Sequence, residues 1–114
     1  MLETMNRTII AGITLFFATN IFAADVELLH ANEWSVPKQA STVLAMPAIH
    51  KSMKKMQINV NSLLKIKYPG GDEGTLWVNE LRSWLIALGL SSKQIELVPG
   101  SAISTTIELE VVTN

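Results

Sequence analysis

The chain contains no cysteine, which excludes disulfide bonds, thiolate metal sites and lipid attachment to a cysteine. It also lacks an excess of either charge, because nine Lys and Arg residues balance ten Asp and Glu residues to a formal net charge of −1. Such a balance attracts neither nucleic acid nor an acidic lipid surface. The one basic cluster, Lys51, Lys54 and Lys55 beside His50, we interpret as a solvated helix face rather than a binding patch.

No apolar run is long enough to cross a bilayer. The uncharged stretch from Thr8 to Phe22 has about 15 residues, against the roughly 20 that a membrane helix needs. Arg7 precedes this stretch, and Ala23, Ala24 and Asp25 follow it. A positive residue, an apolar run and small residues in that order are typical of a secretory signal. We therefore predict a signal peptide at residues 1–23, cleavage near Ala23 and a periplasmic protein with no stable membrane insertion.

Glu3 is unusual in the basic region that opens such a signal. Translation from Met5 instead of Met1 would remove it, and the sequence leaves both starts open. Cleavage after Ala23 leaves 91 of the 114 residues. That length is enough for one soluble domain with a modest core, which must fold by packing alone.

The first half of this domain has one clear helical pattern. Residues 24–40 mix polar and apolar side chains without a period, and they form either a loosely held arm or a short first strand around Trp34 to Val36. From Ser41 the pattern becomes helical, with Pro47 in a first helical turn. Ile49, Met53 and Met56 follow on one helix face.

The second half alternates strands and a helix. Leu64, Ile66 and Tyr68 alternate with lysines, as in a strand with one buried face. A Pro-Gly-Gly-Asp-Glu-Gly turn leads into a helix that ends at Gly89, a residue able to adopt the left-handed C-cap conformation, with Leu90 as its apolar contact. The apolar stripe of this helix is predicted to contain Trp77, Leu81, Trp84, Leu85 and Leu88.

Two further strands are predicted around Ile95–Leu97 and Ile107–Val111. Lysines on the first of the three strands and glutamates on the other two predict cross-strand pairs that favour one register; these residues are Lys65, Lys67, Glu96, Glu108 and Glu110. The fold class that follows is α+β. We expect a two-layer sandwich with a small mixed sheet of three to four strands and two helices packed on one face.

The order helix, strand, turn, helix, strand, strand, with the segments WLIALGLSSKQIELVPG and TTIELEVV, resembles the OmpA-like domain. The likeness covers Thr42 to Val112, so the resemblance implies an OmpA-like α/β domain at residues 41–114. The residues at matching places are Leu85, Gly89, Leu90, Ile95, Ile107, Glu108, Leu109, Glu110 and Val111.

The chain departs from this family in the turn after the strand. Members that bind peptidoglycan clamp the diaminopimelate of the stem peptide between an Asp and an Arg. Asp72 stands for the Asp, but the place of the Arg falls close to Trp77, and Arg82 lies more than a helical turn further on. Because a zwitterionic ligand needs both charges at a fixed separation, the resemblance implies a degenerate domain without an intact peptidoglycan-binding motif.

Residues that carry catalysis or bind cofactors are scarce. The chain has two histidines, His30 and His50, and no sequence motif ties either to a nucleophile or to metal ligands. Asp72 and Glu73 suit the positive end of a helix without any ligand, and they would repel an anion from the Gly-rich turn. The prediction is a protein that is not an enzyme and needs no cofactor or metal.

A short exported chain without a catalytic constellation is typical of an interaction domain. We expect an adaptor in an envelope, secretion or conjugation assembly that binds an envelope protein. The alternative is a cell-wall anchoring module that binds peptidoglycan through Asp72 and neighbouring polar groups. The candidate binding residues are Asp72, Trp77, Trp34 and Arg82; tryptophan is enriched at interfaces, and Trp34 with nearby apolar residues would suit docking if the arm is not packed.

Overall fold

The computed structural model describes residues 25–113, so the predicted signal peptide at residues 1–23 and the terminal Asn114 lie outside the described residues. The described chain contains four strands, four helices and one 3-10 turn. In chain order they are β1 (Val26–His30), α1 (Ala31–Trp34), α2 (Ala40–Ala45), α3 (Pro47–Ile58), β2 (Leu63–Tyr68), α4 (Gly71–Ala87), the 3-10 turn Ser92–Gln94, β3 (Ile95–Pro99) and β4 (Thr106–Val112).

The strands form one mixed sheet in the order β1-β4-β2-β3. β4 pairs antiparallel with both β1 and β2, whereas β2 and β3 are parallel. Parallel neighbours need a long crossover, and α4 supplies it between β2 and β3. The predicted α+β class and the small mixed sheet are confirmed, with four strands.

The core lies between the sheet and the helices. Successive residues of a strand point to opposite faces, and the side chains of Leu64, Ile66, Ile107 and Leu109 on the helix-facing side are almost completely buried. From α3, the predicted residues Ile49, Met53 and Met56 complete this layer. The alternation of β2 and β4 and the apolar face of α3 are therefore as predicted.

The buried stripe of α4 is displaced from the predicted one. Leu81 and Leu85 are completely buried, and Val78, which the sequence pattern did not single out, is buried with them. The bulkier side chains Trp77, Trp84 and Leu88 are partly buried and pack against the edge of the core. The indole rings are wide, so they cover the flanks of the contact while the smaller side chains fill its centre.

Of the two alternatives for residues 24–40, the short first strand is present, but it lies at Val26–His30 and not around Trp34 to Val36, where α1 ends. β1 pairs along its whole length with β4. The sequence of β1 shows no clear alternation of apolar and polar residues, because the charged Glu27 shares the helix-facing side with Leu29. Lysines of α3 pair with Glu27 there, so a carboxylate occupies a position where the pattern calls for an apolar side chain.

The end of α4 has the predicted C-cap. Gly89 has a φ of +120°, which an L side chain rarely adopts. The N–H of Leu90 donates to the carbonyl of Leu85 at 3.0 Å, and Leu90 is buried. These are the hydrogen bond and the apolar contact of a helix that turns back on its last turn.

Candidate interaction surfaces

The fold does not bring the predicted binding residues together. Asp72 is exposed in the first turn of α4, and Arg82 lies ten positions further along the same helix. At about 1.5 Å per residue, ten positions separate the two by roughly 15 Å along the helix axis. One small zwitterionic ligand cannot contact both side chains.

Trp34 lies in the core rather than in an exposed arm. Its side chain is only 7% exposed, and the ammonium group of Lys38 lies 4.6 Å from the ring centroid. Lys38 also pairs with Glu80 of α4 at 3.3 Å. The segment after α1 is thus fixed to α4 through one lysine, and Trp34 offers no exposed surface for docking.

Trp77 is partly buried beside the Gly-rich turn. Its indole Nε1 is buried and has no hydrogen-bond partner within the described part of the chain. The exposed apolar surface here comes from its neighbour Leu76, which is 72% exposed. Trp77 therefore contributes to the flank of the core more than to the surface.

The Gly-rich turn allows the start of α4 to pack closely against Pro69. Pro69 is buried, and Gly74 in the first turns of α4 lies so close to it that a Cβ on Gly74 would overlap with the Pro69 carbonyl oxygen. Asp72 and Glu73 are exposed in the first turn, where the helix dipole favours acidic side chains.

Two of the three lysines in the basic cluster connect α3 to β1. Lys55 Nζ lies 2.8 Å from Asp25 and 3.5 Å from Glu27, and Lys51 Nζ lies 3.8 Å from Glu27. The hydrogen bond from Lys55, with its positive charge, holds the pKa of the Asp25 carboxyl below its usual range, and the same bond raises the pKa of Lys55. The interpretation of Lys51 and Lys55 as a solvated face missed these pairs because their partners lie far away in the sequence.

The two histidines lie in different parts of the fold. His30 precedes α1, where its backbone N–H donates to Glu33 at 3.2 Å and its ring Nδ1 lies 3.4 Å from Thr106 Oγ1. His50 lies on the exposed side of α3. Among residues 25–113, no group of three or more His, Cys, Asp or Glu side chains is placed to hold a metal ion.

Two adjoining shallow depressions follow α3 and share Met53 and Gln57 in their lining; together we call them the α3 groove. One end of the groove lies against α2 and the other against the C-terminal end of α4. Buried Met53 and Met56 form its floor, while Leu44 and Val60 are exposed. Its lining consists of Ser41, Leu44, Ala45, His50, Met53, Lys54, Met56, Gln57, Val60, Leu88, Gly89, Leu90 and Gln94.

The side of the sheet opposite the helices is covered by no helix or strand within residues 25–113; we call it the open sheet face. Its side chains are those that alternate with the buried ones. They are Val26, Leu28, His30, Leu63, Lys65, Lys67, Glu96, Val98, Glu108, Glu110 and Val112. Thr106, at the start of β4, lies on the same side but is buried. The strand register places Lys65 between Glu110 and Glu96, and Lys67 between Glu108 and Val98. The predicted partners are therefore neighbours, but no ion pair among residues 25–113 joins them.

Within residues 25–113, none of the helices has the length and apolar character needed to span a membrane. Comparison with protein-family models, with curated proteins and with solved structures finds no match for this chain.

Proposed function

We propose that this chain is an exported, periplasmic interaction domain, an adaptor that binds an envelope protein through the α3 groove. It performs no catalysis, and it serves as an accessory component of an envelope, secretion or conjugation assembly. The observation that carries this proposal is the α3 groove, in which a methionine floor and the exposed Leu44 and Val60 lie beside polar lining residues.

The lining of the groove suits a particular kind of partner. Methionine side chains are flexible and polarizable, so a methionine floor adapts to the shape of an inserted side chain. Lys54 and His50 line one end of the groove, and no acidic residue lines either end. An amphipathic helix that carries apolar anchors and an acidic flank fits both properties, in the manner of helix-in-groove recognition.

The order of the elements supports an OmpA-like origin for this domain. From α3 onward the chain runs helix, strand, turn, helix, strand, strand, apart from the short 3-10 turn, the order on which the resemblance rests. The family's peptidoglycan clamp gains no support, because Asp72 and Arg82 are far apart on α4. We therefore favour the adaptor over the cell-wall anchor.

The adaptor proposal is tested by photo-crosslinking from the groove. A photoreactive amino acid at Gln57 should capture a defined envelope protein, whose direct binding is then measured with both proteins purified. Val60→Glu should weaken this binding at least tenfold, because it places a carboxylate in the apolar groove. Leu76→Glu is the matched control, since Leu76 is as exposed as Val60 (72% against 76%) but lies outside the groove.

Sedimentation with purified peptidoglycan sacculi tests the alternative. The adaptor proposal expects no co-sedimentation. Binding to sacculi that Asp72→Ala abolishes, together with equal effects of Val60→Glu and Leu76→Glu on protein binding, would overturn the adaptor in favour of a wall anchor.

A further inference from the structure

We infer that two copies of this chain associate face to face through their open sheet faces, about a two-fold axis that runs parallel to the strands between β4 and β2. This inference goes beyond the proposed function and does not depend on it, because the α3 groove lies on the other side of the sheet. The self-complementary charge pattern of the face carries the inference.

The charges on this face are arranged in columns along the two central strands. β2 carries Lys65 and Lys67, and its neighbour β4 carries Glu110 and Glu108 at the partner positions. A rotation of 180° about an axis parallel to the strands and midway between these columns places the β2 of one copy over the β4 of the other. This rotation leaves positions along the strands unchanged. Lys65 of each copy therefore faces Glu110 of the other, and Lys67 of each copy faces Glu108 of the other, which gives four pairs between the copies.

Four of the five apolar residues of the face meet apolar partners under the same rotation, whereas Val26 meets Glu96, because both lie in the row of Lys65 and Glu110. The strand order β1-β4-β2-β3 has its midline between β4 and β2, so the outer strands β1 and β3 also exchange places. Leu28 and Val98 lie in the same row across the sheet, and so do Leu63 and Val112. In the dimer Leu28 meets Val98 and Leu63 meets Val112. Stacked sheets keep their strands within about 30° of each other, so the rows are offset least at the central strands, which lie nearest the axis.

The charged residues of the two central strands form no ion pairs within the described part of one copy. Four ion pairs are formed among residues 25–113, and none includes Lys65, Lys67, Glu108 or Glu110. Glu108 accepts one hydrogen bond, from the Ala102 N–H to Oε2 at 3.0 Å, which leaves its other oxygen for a cation. The predicted cross-strand neighbours thus occupy partner positions in the register but form no ion pairs with each other within one copy.

The same pattern argues against other occupants of the face. Nucleic acid or an acidic surface meets the glutamates of β4, and a basic partner meets the lysines of β2. A partner with alternating columns of the same spacing satisfies both strands, and a second copy provides it by symmetry.

The size of the face sets the strength of the dimer. Four strands about 4.8 Å apart, each contributing about five residues of 3.3 Å rise, give a projected area of roughly 300 Å² per copy. A standard interface buries about 800 Å² per partner. The association is therefore weak, and because its central pairs are ionic, salt weakens it further.

The test is a sedimentation-velocity series over protein concentration at low and high salt, together with an NMR dilution series. We expect a concentration-dependent dimer that salt dissociates, and chemical-shift changes on dilution at residues 63–67 and 106–112. Lys65→Glu and, separately, Glu110→Lys should each raise the dissociation constant at least about tenfold, since like charges then face each other.

The double variant with both Lys65→Glu and Glu110→Lys should restore dimerisation, because it exchanges the two charges of a facing pair. Lys54→Glu, a charge reversal in the α3 groove, is the matched control and should leave the dimer unchanged. A chain that stays monomeric at the highest concentrations, shift changes confined to the helices, or a dimer equally tolerant of the single and double variants would each overturn the inference.

Discussion

At Gly74 the close approach of α4 to the end of β2 depends on a single missing side chain. A Cβ at this position would overlap with the Pro69 carbonyl oxygen and lie 2.6 Å from the carbonyl carbon. The obstacle is backbone, so it cannot rotate away as a side chain can. The turn is glycine-rich for a steric reason at this position, rather than for anion binding.

Gly74→Ala should therefore destabilise the fold by about 1–3 kcal/mol, the range for overpacking a well-packed site. Chemical denaturation of both variants measures the effect. Gly70→Ala is the control, because a Cβ on Gly70 meets nothing within 4 Å and Gly70 has a φ of −66°, so it should leave the unfolding free energy almost unchanged. Equal stabilities of the two variants would contradict this account of the turn.

Trp34 shows how a single side chain can be misread from sequence. Tryptophan outside a periodic segment is a reasonable candidate for an interface, since the residue is enriched there. What removes Trp34 from the surface is the pairing of β1 with β4, which brings the following turn of helix against the core, and the position of Lys38 over the ring. The pairing with β4 involves a strand that is distant in the sequence, so the local pattern around Trp34 does not identify it.

Among the elements, β1 and α3 are held together by charge as well as by the core. Asp25 and Glu27 project from β1 or its start toward Lys51 and Lys55 of α3. Because the Lys55 hydrogen bond lowers the pKa of Asp25, the folded state binds a proton at Asp25 less readily than the unfolded chain does. The stabilising contribution of Asp25 is then present above its unfolded pKa, and it is lost as the pH falls through its lower folded pKa.

The pH dependence of stability should follow from this pair. At neutral pH and low salt, Asp25→Asn should unfold at a lower denaturant concentration than the unchanged chain. The gap should close as the pH falls below about 4, the usual range of an Asp carboxyl. Glu96→Gln on β3 is the control, as Glu96 is an exposed carboxyl that forms no ion pair within the described residues. A gap that persists in acid would show that Asp25 stabilises the fold by other means.

On the scale of the whole molecule, residues 25–40 belong to the same core as the rest of the described chain. Leu29 of β1 is completely buried, and Trp34 joins the same cluster as the residues of α3, α4 and the other strands. Without β1, one whole edge of β4 loses its partner. The arm and the predicted domain at residues 41–114 are thus parts of one sheet and one core.

A chain that starts at Ser41 should therefore lose cooperative unfolding, whereas a chain that starts at Ala24 keeps it. Urea denaturation followed by circular dichroism, with amide NMR dispersion as a second readout, compares the two. If the shorter chain unfolds cooperatively at a similar midpoint, residues 41–114 are a domain in their own right.

The periodic segments determined much of the fold without any knowledge of the structure. Alternation in β2 and β4, the apolar face of α3 and the glycine C-cap of α4 each depend on residues within about seven positions of each other, so a local pattern suffices. The α+β class and the small mixed sheet follow from their order. The charge complementarity between Lys65, Lys67 and the glutamates of β4 is likewise visible in the sequence, since strand alternation alone assigns them to one face.

Tertiary structure decided the features that depend on distant partners. The position of β1, the burial of Trp34 and the pairing of Lys55 with Asp25 all follow from which elements meet in space. The candidate surfaces belong here too: the α3 groove needs α2, α3 and the end of α4 together, and the symmetry of the open sheet face needs the order β1-β4-β2-β3. Local sequence sets which side of a strand or helix is apolar, but only packing determines which of those sides remain uncovered.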